Sequence, residues 1–178
     1  VAATERHGRI DRVNSPLRVT AVCSGNICRS PIAEVVLRDA VERAGLGRAV
    51  VVDSAGIGGW HVGEGADRRA VAVLARHGYD GSAHRVQQIT AQWFDRDSDT
   101  APDLLLAMDA THLRDLRRLA PDAEVVLMRA FDPALDPQVD DLDVPDPYFG
   151  STRDFEDVLA MIEAATPGTL ARIRELLA

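Results

Sequence analysis

The sequence predicts an α/β fold: one domain with a four-stranded parallel sheet and helices on both faces. Short apolar runs and helical patterns alternate four times along the chain. The runs are apolar at nearly every position rather than at alternate ones, as in strands buried on both sides. Turns rich in glycine, aspartate or cysteine follow the strand ends, where ligands sit in open parallel sheets.

Leu17-Arg18-Val19-Thr20-Ala21-Val22-Cys23 reads as the first buried strand. A helical pattern opens at Pro31 and stops at Gly45. Ala33, Val36, Leu37, Ala40, Val41 and Ala44 line its apolar face, with Glu34/Arg38 and Asp39/Arg43 pairs expected on the solvated one. Ala49 to Val52 forms a second strand, ending at Asp53-Ser54-Ala55-Gly56, and a glycine-rich loop over 56–65 carries Trp60 and His61. A helix is expected from about Asp67 to His77, closed by Gly78, and a short one near 90–95. Pro102 to Met108 is the third strand, with Leu113, Leu116 and Leu119 marking the helix after it, and Glu124 to Met128 is the fourth. An acidic, proline-punctuated loop runs from Asp132 to Gly150. The C-terminal helix uses Phe155, Val158, Leu159 and Ile162, and Pro167-Gly168 predicts a kink or split before Leu170, Ile173 and Leu177. Residues 1–16 are polar and aperiodic and read as a flexible N-terminal extension, leaving 17–178 as the domain.

All 20 basic residues are arginine, and the formal net charge is −8, which argues against nucleic acid or an anionic membrane as partner. Both cysteines of the chain, Cys23 and Cys28, lie in one turn, so no disulfide framework exists and no clustered zinc-ligand set is visible. No apolar run approaches 18 residues and no signal-peptide core is visible, so the chain reads as soluble and cytoplasmic.

The most informative stretch is Cys23-Ser24-Gly25-Asn26-Ile27-Cys28-Arg29-Ser30, between the first strand and its helix. Gly25 and Asn26 suit positive φ, and backbone N–H groups of such a turn converge on one point. The helix start adds the positive end of its dipole. Together these make a cradle for a phosphate dianion, and the same field favours a thiolate at Cys23. A thiolate attacking phosphorus needs a proton donor for the leaving oxygen. Asp146, stiffened between Pro145 and Pro147, is the candidate, although this loop also holds Asp132, Asp136, Asp140, Asp141 and Asp143.

The turn and the Asp-Pro-Tyr loop together resemble the low-molecular-weight protein tyrosine phosphatases of bacterial type, from about Leu17 to the C-terminus. The resemblance rests on Cys-x-Gly-Asn-x-Cys-Arg-Ser-Pro at 23–31 with Ala33-Glu34 after it. It also includes Asp53-Ser54-Ala55-Gly56, Gly59-Trp60, His84, Met108-Asp109, Asp146-Pro147-Tyr148 and Phe155-Glu156. It implies metal-independent hydrolysis of protein phosphotyrosine without a cofactor. Cys23 would form a phosphocysteine, Arg29 would grip two phosphoryl oxygens, and Asp146 would act as general acid and then base. Ser24, Gly25, Asn26, Ile27, Cys28 and Ser30 would complete the phosphate-binding loop, with the Ser30 hydroxyl donating to the thiolate. Ser54 and His84 would support that loop. Trp60, His61, Tyr148 and Phe149 would form the substrate slot, Asp109 a structural contact at the rim, and Trp93 and Phe94 packing. On the family pattern Cys28 sits beside Cys23 and could trap its oxidised form as a disulfide.

The implied partners are phosphotyrosine-containing proteins, with inorganic phosphate or another oxyanion as product or inhibitor, and the expected form is a monomer. Ser24 stands where relatives often carry a larger residue, and Phe149 replaces the second tyrosine of some members. Two alternatives share the fold. Arsenate reductases need two further cysteines, which this chain lacks. Protein arginine phosphatases tend to carry Thr where Ile27 stands and Phe where Tyr148 stands.

Overall fold

The apolar runs pair side by side, because each must satisfy its backbone groups and bury two faces at once. In the computed structural model, which describes residues 15–95 and 100–178, they form one sheet. Its strands are Leu17–Cys23 (β1), Val50–Gly56 (β2), Leu104–Ala107 (β3) and Glu124–Leu127 (β4), all parallel, in the order β2-β1-β3-β4. The helices are Arg29–Arg43 (α1), Arg68–Arg76 (α2), Ala110–Leu119 (α3) and Thr152–Leu177 (α4). The N-terminal extension expected over 1–16 lies outside the described residues except for Ser15 and Pro16.

Successive strand residues feed two separate cores. Val19, Ala21, Cys23, Leu104 and Leu106 face α1, α2 and α4, packing with Ile32, Val36, Leu74, Phe155 and Ile162. Val22, Ala55, Leu105, Ala107 and Val125 face the other way, onto Leu116 of α3 and the partly buried Trp93 and Phe94. Those two aromatics belong to a short 3-10 turn, Ala91–Phe94, at the place where a short helix is expected. The strand order reverses between β1 and β3, and Cys23 ends β1 at that point. Here the two following crossovers part to opposite sides, leaving a crevice at the carboxyl edge.

Two expectations need correction. Glu34 is not on a solvated face: it is 8% exposed, because α1 is buried on every side from Arg29 to Leu37, beside the cysteine loop. Its pairing with Arg38 is retained, and Asp39 pairs with Arg43 as expected. Second, of the kink or split expected at Pro167-Gly168, the split does not occur; α4 runs unbroken through 26 residues. The proline deletes one helical hydrogen bond. The hydroxyls of Thr166 and Thr169 donate to the Ile162 and Ala165 carbonyls around it, and buried Ile162, Ala165 and Ile173 hold both halves on the same core. Among the described residues, no helix is long and apolar enough to cross a membrane.

Gly168 permits a close approach of α4 to the 3-10 turn Met128–Phe131. A Cβ at 168 would lie 2.1 Å from the Phe131 carbonyl oxygen. Replacing glycine by alanine inside a helix usually stabilises by about 1 kcal/mol. Here Gly168→Ala is expected to reverse that sign and destabilise by roughly 1–3 kcal/mol through overpacking. Urea unfolding of the two proteins measures it.

Candidate active site

The loop from Ser24 to Cys28 gains its shape from where its carbonyls go. The carbonyl oxygens of Cys23 and Ser24 accept from the N–H groups of Ile57 and Gly58, just past β2. That of Ile27 accepts from Asp67 N, and that of Asn26 lies 2.9 Å from His84 Nε2. Among the described residues, the N–H groups of 24–28 donate to no protein acceptor. With the carbonyls of Ser24, Asn26 and Ile27 spent outward and N–H groups left over, the loop has the makings of an anion receptor continuous with the first turn of α1.

Asn26 holds the bend. It has φ 57° and is the one non-glycine residue with positive φ among the described residues. Its buried amide donates to Ser30 Oγ (2.9 Å) and Ser54 Oγ (2.8 Å), and its oxygen accepts from Gln87 N (3.0 Å). Gly25 does not take positive φ, contrary to expectation. Its missing side chain instead makes room for His61, whose ring would lie 3.3 Å from a Cβ there. Since Ser30 Oγ already accepts from Asn26, its own proton is available to Cys23 Sγ, 3.0 Å away. By the same logic the Ser54 hydroxyl donates to Glu34 Oε2 at 2.5 Å, and His84 Nδ1 lies 3.0 Å from that oxygen.

Arg29 reaches across the mouth of the loop with only 4% of its side chain exposed. Nη1 donates to Asp109 Oδ2 (2.8 Å) and to the Val144 carbonyl (3.0 Å). Nη2 makes two longer contacts, to Asp146 Oδ2 (3.2 Å) and Ser24 Oγ (3.3 Å). Asp109 also caps α3 by accepting from His112 N, and it lies 3.0 Å from His112 Nδ1. Burial raises the Asp109 carboxyl, but the hydrogen bonds from His112 and Arg29 outweigh it and hold the group well below the usual carboxylate range. Asp109 thus does more than contact the rim: it orients the arginine. The Asp146 side chain, by contrast, is 51% exposed.

A cleft of about 270 Å³ opens above the loop. It brings together Cys23, Ser24, Gly25, Ile27, Cys28, Arg29, Trp60, His61, Asp146, Tyr148 and Phe149. The remaining expected residues, Asn26, Ser30, Ser54 and His84, lie buried beneath it. Trp60 and Phe149 are the most open of the aromatic walls, and Tyr148 meets Phe149 edge to face at 4.9 Å. His61 pairs with Glu64 (2.9 Å). Burial first, then the nearby Asp67 and Cys23, push the Cys28 thiol up to about 12.

Sequence patterns single out neither His112 nor Arg69, both of which bear on the site. His112 is buried on α3 with Nε2 2.9 Å from Ser24 Oγ. Its one signal is a position three residues after the capping Asp109, which any helix-facing histidine could share. Among the described residues, no group of three or more His, Cys, Asp or Glu side chains is arranged to hold a metal ion.

A sheet of this order with a Cys-x5-Arg loop at its switch point and an aspartate over it defines a phosphatase-type site. The family model for low molecular weight phosphotyrosine protein phosphatase matches residues 18–177, and the chain belongs to that family, a family of protein-tyrosine-phosphatase hydrolases. It is 56% identical to the low molecular weight protein-tyrosine-phosphatase of Streptomyces coelicolor, over 89% of this chain and 94% of the relative. It is 47% identical to low molecular weight protein-tyrosine phosphatase A of Mycobacterium tuberculosis, over 93% of this chain and 97% of the relative. Among solved structures, a protein tyrosine phosphatase from Entamoeba histolytica with Hepes in its active site superposes with a TM-score of 0.80. That match has 27% identity and covers 91% of this chain and 99% of the other.

Two outcomes are expected. Burial raises the Glu34 carboxyl, but hydrogen bonds from His84 and Ser54 lower it below its ordinary 4.5 overall. The folded state therefore keeps a carboxylate where the unfolded chain takes up a proton. This stability is full above the ordinary value and is lost as pH falls through the folded one. Glu34→Gln should cost about 1–3 kcal/mol at neutral pH, and the gap to wild type should close in acid, as read by urea unfolding across pH. Cys28, held as a thiol, should resist iodoacetamide at neutral pH while Cys23 is labelled, as read by peptide mass spectrometry.

Proposed function

We propose that the protein hydrolyses protein phosphotyrosine in two steps through a phosphocysteine on Cys23. The carrying observation is the loop itself, with the carbonyls of Ser24, Asn26 and Ile27 satisfied outward, its N–H groups of 24–28 free of protein acceptors among the described residues, and Cys23 Sγ at its base. In the first step the Cys23 sulfur forms a bond to phosphorus as the phosphorus–oxygen bond to the tyrosine ring breaks. Asp146 delivers a proton to the departing phenolate oxygen. In the second step water bonds to phosphorus, the sulfur–phosphorus bond breaks, and Asp146 recovers a proton from the water.

The two carboxyls near Arg29 divide the labour. Asp109 is tied down by His112 N and Arg29 Nη1, which keeps it ionised. Asp146, more exposed and held by longer contacts, is the group free to carry and transfer a proton. The guanidinium meets the phosphate through Nε and Nη2; both long contacts belong to Nη2, while Nη1 stays on Asp109 and Val144. The Ser30 hydroxyl, turned toward Sγ by Asn26, stabilises the sulfur as leaving group in the second step. The loop N–H groups take up the charge that develops on the equatorial oxygens. Trp60, Tyr148 and Phe149 line the cleft and receive the aromatic ring; the resemblance to tyrosine rather than arginine phosphatases at Ile27 and Tyr148 supports tyrosine as the phosphorylated residue.

Phosphate release from a phosphotyrosine peptide and from a phosphoarginine substrate, with EDTA present, tests this for wild type, Cys23→Ser and Asp146→Asn. Turnover of phosphotyrosine is expected. It should be abolished in Cys23→Ser and lowered about 10²- to 10⁴-fold in Asp146→Asn. Full activity of Cys23→Ser would overturn the mechanism, and turnover confined to phosphoarginine would overturn the substrate.

A further inference from the structure

The loop that carries Asp146 has no secondary structure of its own from Asp141 to Pro147, yet proton transfer tolerates little misplacement of the acid. Two arginines outside the cleft grip its backbone, one on each side of Asp146. Upstream, Arg129 Nη1 donates to the carbonyls of Asp141 (3.0 Å) and Asp143 (2.9 Å). Downstream, Arg69 of α2 donates from Nη2 to the Tyr148 carbonyl (2.9 Å) and from Nη1 to the Gly150 carbonyl (3.1 Å).

Arg69 is itself built in. Its Nε and Nη2 fork onto both oxygens of Asp67, at 3.0 and 2.8 Å. Its guanidinium carbon lies 4.6 Å from the centre of the buried Phe155 ring and 6.0 Å from that of Tyr148. Asp67 in turn caps α2, and its N–H donates to the Ile27 carbonyl of the cysteine loop. One side chain thus joins the nucleophile's loop to the acid's loop.

We propose that Arg69 is a positioning residue for Asp146, setting the distance between the proton donor and the cysteine loop, with Arg129 holding the opposite side. The proposal rests on Asp146 being the general acid. A planar fork that reaches two carbonyls and two carboxylate oxygens at once is a task for arginine, which lysine cannot repeat.

The test uses kcat/KM, which reports events up to departure of the phenol, for two substrates. Phenyl phosphate has a tyrosine-like leaving group, with a pKa of about 10, and needs the acid. 4-Nitrophenyl phosphate leaves as a stabilised phenolate and needs it little. Arg69→Gln should lose roughly ten- to a hundredfold on phenyl phosphate and far less on 4-nitrophenyl phosphate, with an unchanged circular dichroism spectrum. Arg69→Lys should not restore it. Added to Asp146→Asn, Arg69→Gln should cost almost nothing more, since both act on one proton transfer. Equal losses on both substrates, or a full second loss in the double variant, would overturn the positioning role while leaving Asp146 as the acid. If Asp146→Asn itself treats the two substrates alike, the general-acid assignment fails and the role of Arg69 falls with it.

Discussion

Asn26 is the constraint on which the site depends. A buried residue in left-handed conformation is uphill for any side chain but glycine, and this one persists because its side-chain amide and its carbonyl are all committed. Its amide ties together Ser30, Ser54 and Gln87, and its carbonyl meets His84. From there the network runs one way to Glu34 and the other to Cys23 Sγ. Four separate segments therefore converge on one bend: the start of α1, the end of β2, and the stretches around 84 and 87. In a low-dielectric interior such a network is worth most when complete and is costly when half made. The Ser30 hydroxyl has two acceptors within reach, the sulfur at 3.0 Å and the Ala55 carbonyl at 3.4 Å, and the shorter contact is the one to the sulfur.

The same economy governs charge. On the proposed function, a chain of net charge −8 receives a dianion with one buried arginine, the loop amides and a helix end rather than a basic surface. An arginine taken out of water needs compensation before the ligand arrives. Asp109, Asp146 and the Val144 carbonyl supply it. Their unequal strength is useful: the firm contacts sit on Nη1 and the long ones on Nη2, so half of the guanidinium is anchored and half is exchangeable. Anchoring Asp109 through α3 also keeps that carboxylate from competing as a proton donor.

Sequence carried the parallel sheet, the cysteine loop and the aspartate loop, because each is written in local terms: double-faced apolar runs, a strand-turn-helix junction, and prolines flanking a carboxyl. What it obscured were consequences of tertiary packing. Glu34 carries the same helical charge-pair spacing as Asp39, and only the burial of α1 from Arg29 to Leu37 turns it inward, toward Ser54 and His84. Pro167 breaks helices in isolation, but here both halves of α4 are held on one core. The two gripping arginines, 69 and 129, were invisible for a further reason. A chain whose 20 basic residues are all arginine offers no compositional contrast to mark a functional one.

The division between a closed floor and an open rim has its own logic. Asn26, Ser30 and Ser54 are 0% exposed, whereas Trp60 is 74% and Phe149 98% exposed. On the proposed function the floor holds the loop that meets the phosphoryl group, identical in every phosphomonoester, so it gains from rigidity and can discriminate little. Discrimination must come from the distance between rim and sulfur. An aryl phosphate spans it with apolar surface that the aromatic walls can cover. A phosphoserine is shorter: for its phosphorus to reach Sγ, peptide N–H and C=O groups would have to enter the cleft and leave water without partners, at about 1–3 kcal/mol for each such group. On the proposed function, selection would rest on what must be desolvated rather than on a specific contact, and exposed walls would suffice for it.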